Sequence, residues 1–237
     1  MAKQAGYHNE DLERSRTRLM RGGSYRNQAT VCIIPTRGVI PAGVLQSWFN
    51  LMSPMNQPFG RLIMSEMEVG DAYNVAIESA IQDPKLAYIL TLEEDNTPPP
   101  DGLLRLLESI EGGVDGRKYD AVGALYWTKG PGGQPMIYGD PAVMPRNFVP
   151  QVPIPNTVQP CNGLGMGFTL FRASMFREGR IPKPWFKTTQ DYTPYVGARA
   201  FTQDLWFFNN ALDKGYSFAC DTRVLVGHYD HASGMTW

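Results

Sequence analysis

Leu86-Ala-Tyr-Ile-Leu-Thr-Leu-Glu-Glu-Asp95 sets a short apolar run directly before three carboxylates. The run is strand-sized, and the prolines after it (Pro98, Pro99, Pro100) open a segment whose Leu103, Leu104, Leu106 and Leu107 predict a helix. Upstream, Thr30-Val-Cys-Ile-Ile-Pro35 is β-branched and wholly apolar, as a strand buried on both faces of a parallel sheet must be. Pro41 starts a predicted helix with Val44, Leu45, Trp48, Phe49 and Met52 on one face. Arg61-Leu-Ile-Met64 follows as a strand, then a helix capped by Asp71 with Ala72, Val75, Ala76, Ser79 and Ala80 inward. Three successive strand–helix units imply a parallel sheet with right-handed crossovers, helices on both faces, and ligands at the carboxyl ends of the strands. Glu93, Glu94 and Asp95 stand at such an end.

The order loosens after Gly112. Asp120–Tyr126 reads as a strand, residues 128–135 as a glycine-rich loop, and 141–160 as an irregular, proline-studded segment. Met166–Phe171 is a strand, and Thr202–Leu212 a helix with Leu205, Phe208 and Leu212 on one stripe and Gly215 past its end. Two short strands, Ser217–Cys220 and Arg223–Val226, close the chain. No repeat is visible, and loops of this length point to function.

The 237 residues suffice for one large domain, and 43% hydrophobic with 19% charged side chains is a globular balance. A net charge of −1 gives no global attraction to nucleic acid or anionic membrane. No apolar run reaches the roughly 18 residues of a membrane span. Residues 1–26 lack a signal peptide's apolar centre; six basic against three acidic side chains make them a polar arm, solvated or touching an anionic acceptor or a partner subunit, with a short predicted helix capped by Asn9 and running through Met20. Cys32, Cys161 and Cys220 are too far apart for a zinc site and odd in number, which suits a reducing, cytoplasmic setting.

Residues i and i+2 of an extended stretch point the same way, which groups Glu93 with Asp95. Hard oxygen donors on one side suit Mg²⁺ or Mn²⁺ shared with substrate phosphates; an acidic loop before a helix has the same composition. Trp127 and Lys129, after the Asp120 strand, suit sugar stacking and phosphate contact, or an ordinary surface. Gly163, Gly165 and Gly167 permit close backbone approach to a ligand or a plain turn. Asp204, in the first turn of its predicted helix, is placed to be held ionised by the helix dipole, whether it accepts a proton or only stabilises the helix start.

Taken in chain order, these pieces resemble the inverting, family-2-like GT-A glycosyltransferases from about Thr30 to His228. Thr30–Thr36 is similar to that family's opening strand, and Val69-Gly-Asp-Ala-Tyr-Asn74 to the segment that usually reads Ala-Arg-Asn, with Tyr73 in place of the arginine. Leu92-Glu-Glu-Asp95 resembles the Asp-x-Asp metal motif, Gly163–Arg172 the turn and strand bordering the donor sugar, Thr202-Gln-Asp204 the helix start carrying the base, and Val226-Gly-His228 the late metal histidine.

The resemblance implies a single GT-A-type α/β domain over 27–237, with a Rossmann-like, mostly parallel sheet flanked by helices. A nucleotide-binding half (27–112) would precede a loop-rich acceptor and catalytic half (113–237). It implies Asp204 as general base and Glu93, Asp95 and His228 around Mn²⁺ or Mg²⁺. Donor contacts would come from Pro35, Thr36, Arg37, Glu66, Asp71, Asn74 and Glu94, and from Trp127, Lys129, Gly165, Met166 and Gly167. The implied donor is a UDP-sugar; glycan, lipid carrier, protein and modified nucleic acid all remain as acceptors. A nucleotidyltransferase would carry a glycine- and lysine-rich loop after the first strand, which Thr36-Arg-Gly-Val-Ile-Pro41 lacks. A binding module without catalysis is the remaining alternative.

Overall fold

The structure is a computed structural model that describes residues 27–195 and 197–237. The expected arm and its predicted helix fall outside the described residues. Its strands are β1 Thr30–Thr36, β2 Phe59–Ser65, β3 Tyr88–Leu92, β4 Asn96–Thr97, β5 Ala121–Leu125, β6 Ile137–Tyr138, β7 Val158–Cys161, β8 Gly163–Leu164, β9 Phe168–Arg172, β10 Thr189–Thr193, β11 Gly197–Phe201, β12 Phe218–Leu225 and β13 Gly227–His228. Its helices are α1 Ala42–Phe49, α2 Val69–Ala80, α3 Gly102–Ile110, α4 Ser174–Arg177 and α5 Gln203–Leu212. One mixed sheet runs β2-β1-β3-β9-β5-β12-β7. β2, β1 and β3 are parallel, and β5 and β12 run with them across the antiparallel β9; only β9 and β7 point the other way.

Alternation along the central strands feeds two cores. Val31, Ile33, Ile89 and Phe171 pack on one face against Tyr73 and Ile77 of α2 and Phe207 and Phe208 of α5. Cys32, Ile34, Leu90 and Leu170 pack on the other against Trp48 of α1 and Leu103 and Leu106 of α3. Burying each large side chain of this kind contributes about 1.5–3 kcal/mol, so β1, apolar on both faces, anchors both layers. Pro35 stands beyond the last β1–β3 pair, Ile33↔Thr91, where its missing N–H leaves no gap in the ladder between those strands.

Several local expectations are corrected. In α1, Val44 and Trp48 are buried but Phe49 is exposed, because an eight-residue helix turns only a narrow stripe inward; Met52 lies beyond the helix end and is exposed too. α2 begins at Val69, capped by the Glu68 carboxylate, which accepts the Gly70 and Asp71 N–H groups. The buried stripe is Ala72, Tyr73, Ala76 and Ile77, which pack on the sheet, while Val75 and Ser79 turn to solvent. The proline-studded segment ends in a sheet strand, β7. The two closing strands are one, β12, irregular between Asp221 and Leu225. At that irregularity Asp221, fully buried, receives the Arg223 guanidinium at 2.7 and 2.9 Å and the Ser109 hydroxyl at 2.6 Å, which ties β12 to α3. Removing one partner of such a buried pair costs about 3–5 kcal/mol, so the chain leaves β12 in a fixed direction. No helix among the described residues is long and apolar enough to cross a membrane. All three cysteines are buried and free.

Candidate donor and cation site

A cleft of about 540 Å³ opens where β1 and β3 end and where the chain leaves β2; it is lined by Pro35, Thr36, Arg37, Glu66, Glu93, Glu94 and Asp95, together with Met67 and Val69. The last two were missed in the sequence, although their position just past β2 was a signal. Glu66 adopts φ +62°, uncommon for a residue with a side chain, where the chain turns from β2 towards α2.

The three carboxylates of 93–95 have separate tasks. Glu94 accepts the Thr36 hydroxyl at 2.7 Å, the Arg37 N–H at 2.8 Å and the Arg37 Nε at 2.5 Å. Burial opposes its charge, but these bonds outweigh that and hold its carboxyl below the ordinary range. It therefore fixes the end of β1. Asp95 receives the Lys129 ammonium at 2.5 Å on Oδ2, and His228 Nε2 lies 3.6 Å from the same oxygen. Burial again opposes ionisation, yet His228 and Lys129 bring this carboxyl down to about 2. Glu93 behaves oppositely: burial, then repulsion from Asp95 and Asp204, pushes its carboxyl up to about 8, with Lys129 offsetting part. The fully buried Tyr73 hydroxyl faces Glu93 without closing a hydrogen bond of normal geometry. Glu93 thus holds its proton at neutral pH unless a cation relieves the repulsion.

His228 reaches Asp95 because β13 pairs with β4, setting His228 opposite Asn96. The Trp48 indole donates to the Asn96 main-chain carbonyl at 2.9 Å, and the Tyr229 N–H to the Asp95 main-chain carbonyl at 2.7 Å. His228 Nδ1 lies 2.7 Å from the Trp127 carbonyl oxygen, which only accepts, so Nδ1 carries a hydrogen and Nε2 is the nitrogen turned to Asp95. A metal-binding histidine is ordinarily oriented by such a bond. The carboxylate of Asp95 and the imidazole of His228 are donor types that Mn²⁺ or Mg²⁺ would accept, with phosphate oxygens and water needed to complete the shell. The nitrogen donor tilts the preference towards Mn²⁺. Among the described residues no group of three or more His, Cys, Asp or Glu side chains converges to hold a metal unaided.

Asp204, buried in the first turn of α5, accepts the Thr202 hydroxyl and the Leu205 N–H (2.9 Å) on Oδ1. Burial raises its carboxyl above the ordinary value, with those bonds opposing. Its charge is felt at Glu93, Tyr126 and Tyr138, but Asp204 is not among the residues that line the cleft.

The remaining expected donor contacts sit differently. Asp71 is exposed on α2, and Asn74 exchanges hydrogen bonds with the Phe186 main chain at 2.8 and 3.1 Å. Met166 is buried in the core. Gly165 and Gly167 pack against Tyr126, whose hydroxyl accepts the Gly167 N–H at 2.9 Å. Trp127 is partly buried and offers its carbonyl to His228.

No family model matches the sequence, and comparison with curated proteins gives no match. Solved structures do match. A197 from STIV aligns over 86% of this chain and 86% of its own, with a TM-score of 0.59 and 16% identity. GalNAc-T7, solved with UDP, GalNAc and Mn²⁺, aligns over 84% of this chain with a TM-score of 0.54 and 10% identity. The fold is of the GT-A type. The chain spans 43% of the GalNAc-T7 structure, so the likeness to that protein is one of architecture. In GT-A terms the Asp95–His228 pair lies at the carboxyl edge of the sheet, beside the cleft that β1 and β3 open.

Proposed function

We propose that the protein is a cation-dependent glycosyltransferase that moves a sugar from a nucleoside-diphosphate sugar, UDP favoured, to an acceptor hydroxyl with inversion. The observation that carries this is the His228 ring, turned by Trp127 so that its Nε2 faces Asp95 at the end of the β1–β3 cleft. The GT-A fold, shared with a protein crystallised with UDP and Mn²⁺, supports it.

Pro35, Met67 and Val69 give the cleft apolar walls suited to a nucleobase, and Thr36 and Arg37, held by Glu94, suit the ribose and phosphates. When bound at Asp95 and His228, Mn²⁺ or Mg²⁺ supplies Lewis-acid stabilisation of the departing diphosphate. Asp204 accepts the proton of the acceptor hydroxyl as its oxygen bonds to the anomeric carbon and the bond to the diphosphate breaks. A raised carboxyl favours this proton transfer, and general-base help of this kind is worth roughly 10²- to 10⁴-fold.

The test is a panel of UDP- and GDP-sugars incubated with the protein and Mn²⁺ or Mg²⁺, reading free nucleoside diphosphate. Cation-dependent release that Asp95→Asn abolishes is expected. No release from any donor with either ion, in the presence of mixed glycan, lipid and nucleic-acid acceptors, rejects the activity.

A further inference from the structure

Two groups compete for one atom. Lys129 Nζ and His228 Nε2 approach the same Asp95 oxygen, Oδ2, at 2.5 and 3.6 Å. Oδ2 is the Asp95 oxygen nearest His228, so a cation held between the two side chains meets an ammonium already hydrogen-bonded there. We propose that Lys129 is a resident counter-cation that keeps divalent ions off Asp95 until the donor's diphosphate draws it away, so metal and nucleotide bind cooperatively.

The geometry supports both halves of the exchange. The Lys129 side chain is 29% exposed and that of Asp95 12%, so the pair is screened far less than a surface ion pair and a competing ion must displace a real attraction. The charge of Lys129 is also felt at Glu93 and Asp230, so it neutralises a cluster and not one carboxylate. Lys129 stands at the start of a glycine turn with open space beside it. Gly130 and Gly132 take φ +96° and +77° with open space around them, while the loop base is held by Thr128 N–H to Gln134 O at 2.9 Å and Gln134 N–H to the Thr128 hydroxyl at 2.8 Å. The side chain can swing from Asp95 to a phosphate without unmaking that base. A diphosphate carries more charge than one carboxylate, and lysine serves as a point-charge phosphate binder.

Competition at Asp95 presupposes the Asp95–His228 cation pair proposed above, so the experiment separates the two. Mn²⁺ titrations, reading free Mn²⁺ by electron paramagnetic resonance, are run with and without saturating UDP. The wild type should bind Mn²⁺ at least about tenfold more tightly with UDP, and by reciprocity Mn²⁺ should tighten UDP by the same factor. Lys129→Met should bind Mn²⁺ alone about tenfold more tightly than the wild type, with the UDP effect largely gone; Lys129→Arg should behave as the wild type. Lys129→Gln repeats the measurement with a polar neutral side chain should the methionine variant melt early. Equal Mn²⁺ affinity without UDP in wild type and both neutral variants, with binding lost in Asp95→Asn, overturns the competition and leaves the cation pair standing. No Mn²⁺ bound by any of these proteins, with or without UDP, overturns both.

Discussion

His228 gives its Nδ1 hydrogen to the Trp127 carbonyl at 2.7 Å, and this contact decides which nitrogen faces Asp95. The ring is therefore set for a cation before one arrives. His228→Ala should lower Mn²⁺ affinity in the presence of UDP by at least about tenfold, in the range seen when cation-site groups are lost. Calorimetry checks it; an unchanged Mn²⁺ affinity would remove His228 from the site.

Glu94 supplies a pH test with a definite sign. Its folded carboxyl lies below the ordinary 4.5, because the Thr36 and Arg37 bonds outweigh burial. The unfolded chain therefore takes up the proton first as pH falls, so the stabilisation is complete at neutral pH and lost as pH drops through the folded value. Glu94→Gln should cost about 1 kcal/mol at pH 7, a modest figure because Arg37 is largely exposed. That gap should close as unfolding is measured at successively lower pH below 4.5. A gap independent of pH would mean the charge of Glu94 is not what holds the end of β1.

Gly167 tests the packing behind the cleft. A Cβ there would stand 2.5 Å from Asn96 Oδ1 and 2.7 Å from Tyr126 Cζ, both on fully enclosed side chains. Gly167→Ala should destabilise by about 1–3 kcal/mol through overpacking. Thermal melting reads it, and an unchanged melting temperature would show that Asn96 and Tyr126 can give way.

What the sequence made legible follows from what is local. β1 and β3 were readable because a strand buried on both faces must be apolar throughout, and the carboxylates after β3 then fall at the cleft. The start of α2 was not, because its cap is Glu68, a residue type less favoured at a helix start than Asp71. β7 hid among prolines because its partner β12 comes some sixty residues later. Lys129 on Asp95 and Trp127 on His228 are separated by 34 and 101 residues, and nothing nearby in the chain announces either contact. The likeness of Gly163–Arg172 to a sugar-bordering turn pointed to glycines, while the structure packs Gly165 and Gly167 on Tyr126 and Gly163 on Phe148.

Asp204 separates an enzyme from a binding module. Burial lifts its carboxyl above the ordinary 3.8, with the Thr202 and Leu205 bonds opposing. A base must be ionised, so transfer should fall as pH is lowered through that raised value, and the acid limb should lie above that of an exposed aspartate. Folding has the opposite sign: with the folded value raised, stability is lost as pH rises, so the ionised group is a burden at neutral pH. Asp204→Asn removes that burden, and the amide oxygen can still accept the Thr202 hydroxyl and the Leu205 N–H on Oδ1. The variant should melt no lower than the wild type at pH 7, bind UDP and Mn²⁺ within a few-fold, and lose roughly 10²-fold or more in kcat. A carboxylate that serves only the helix start predicts the reverse, a loss on the order of 1 kcal/mol with transfer intact. Melting curves and transfer rates on the one variant choose between them: a lowered melting temperature with full activity rejects Asp204 as the base.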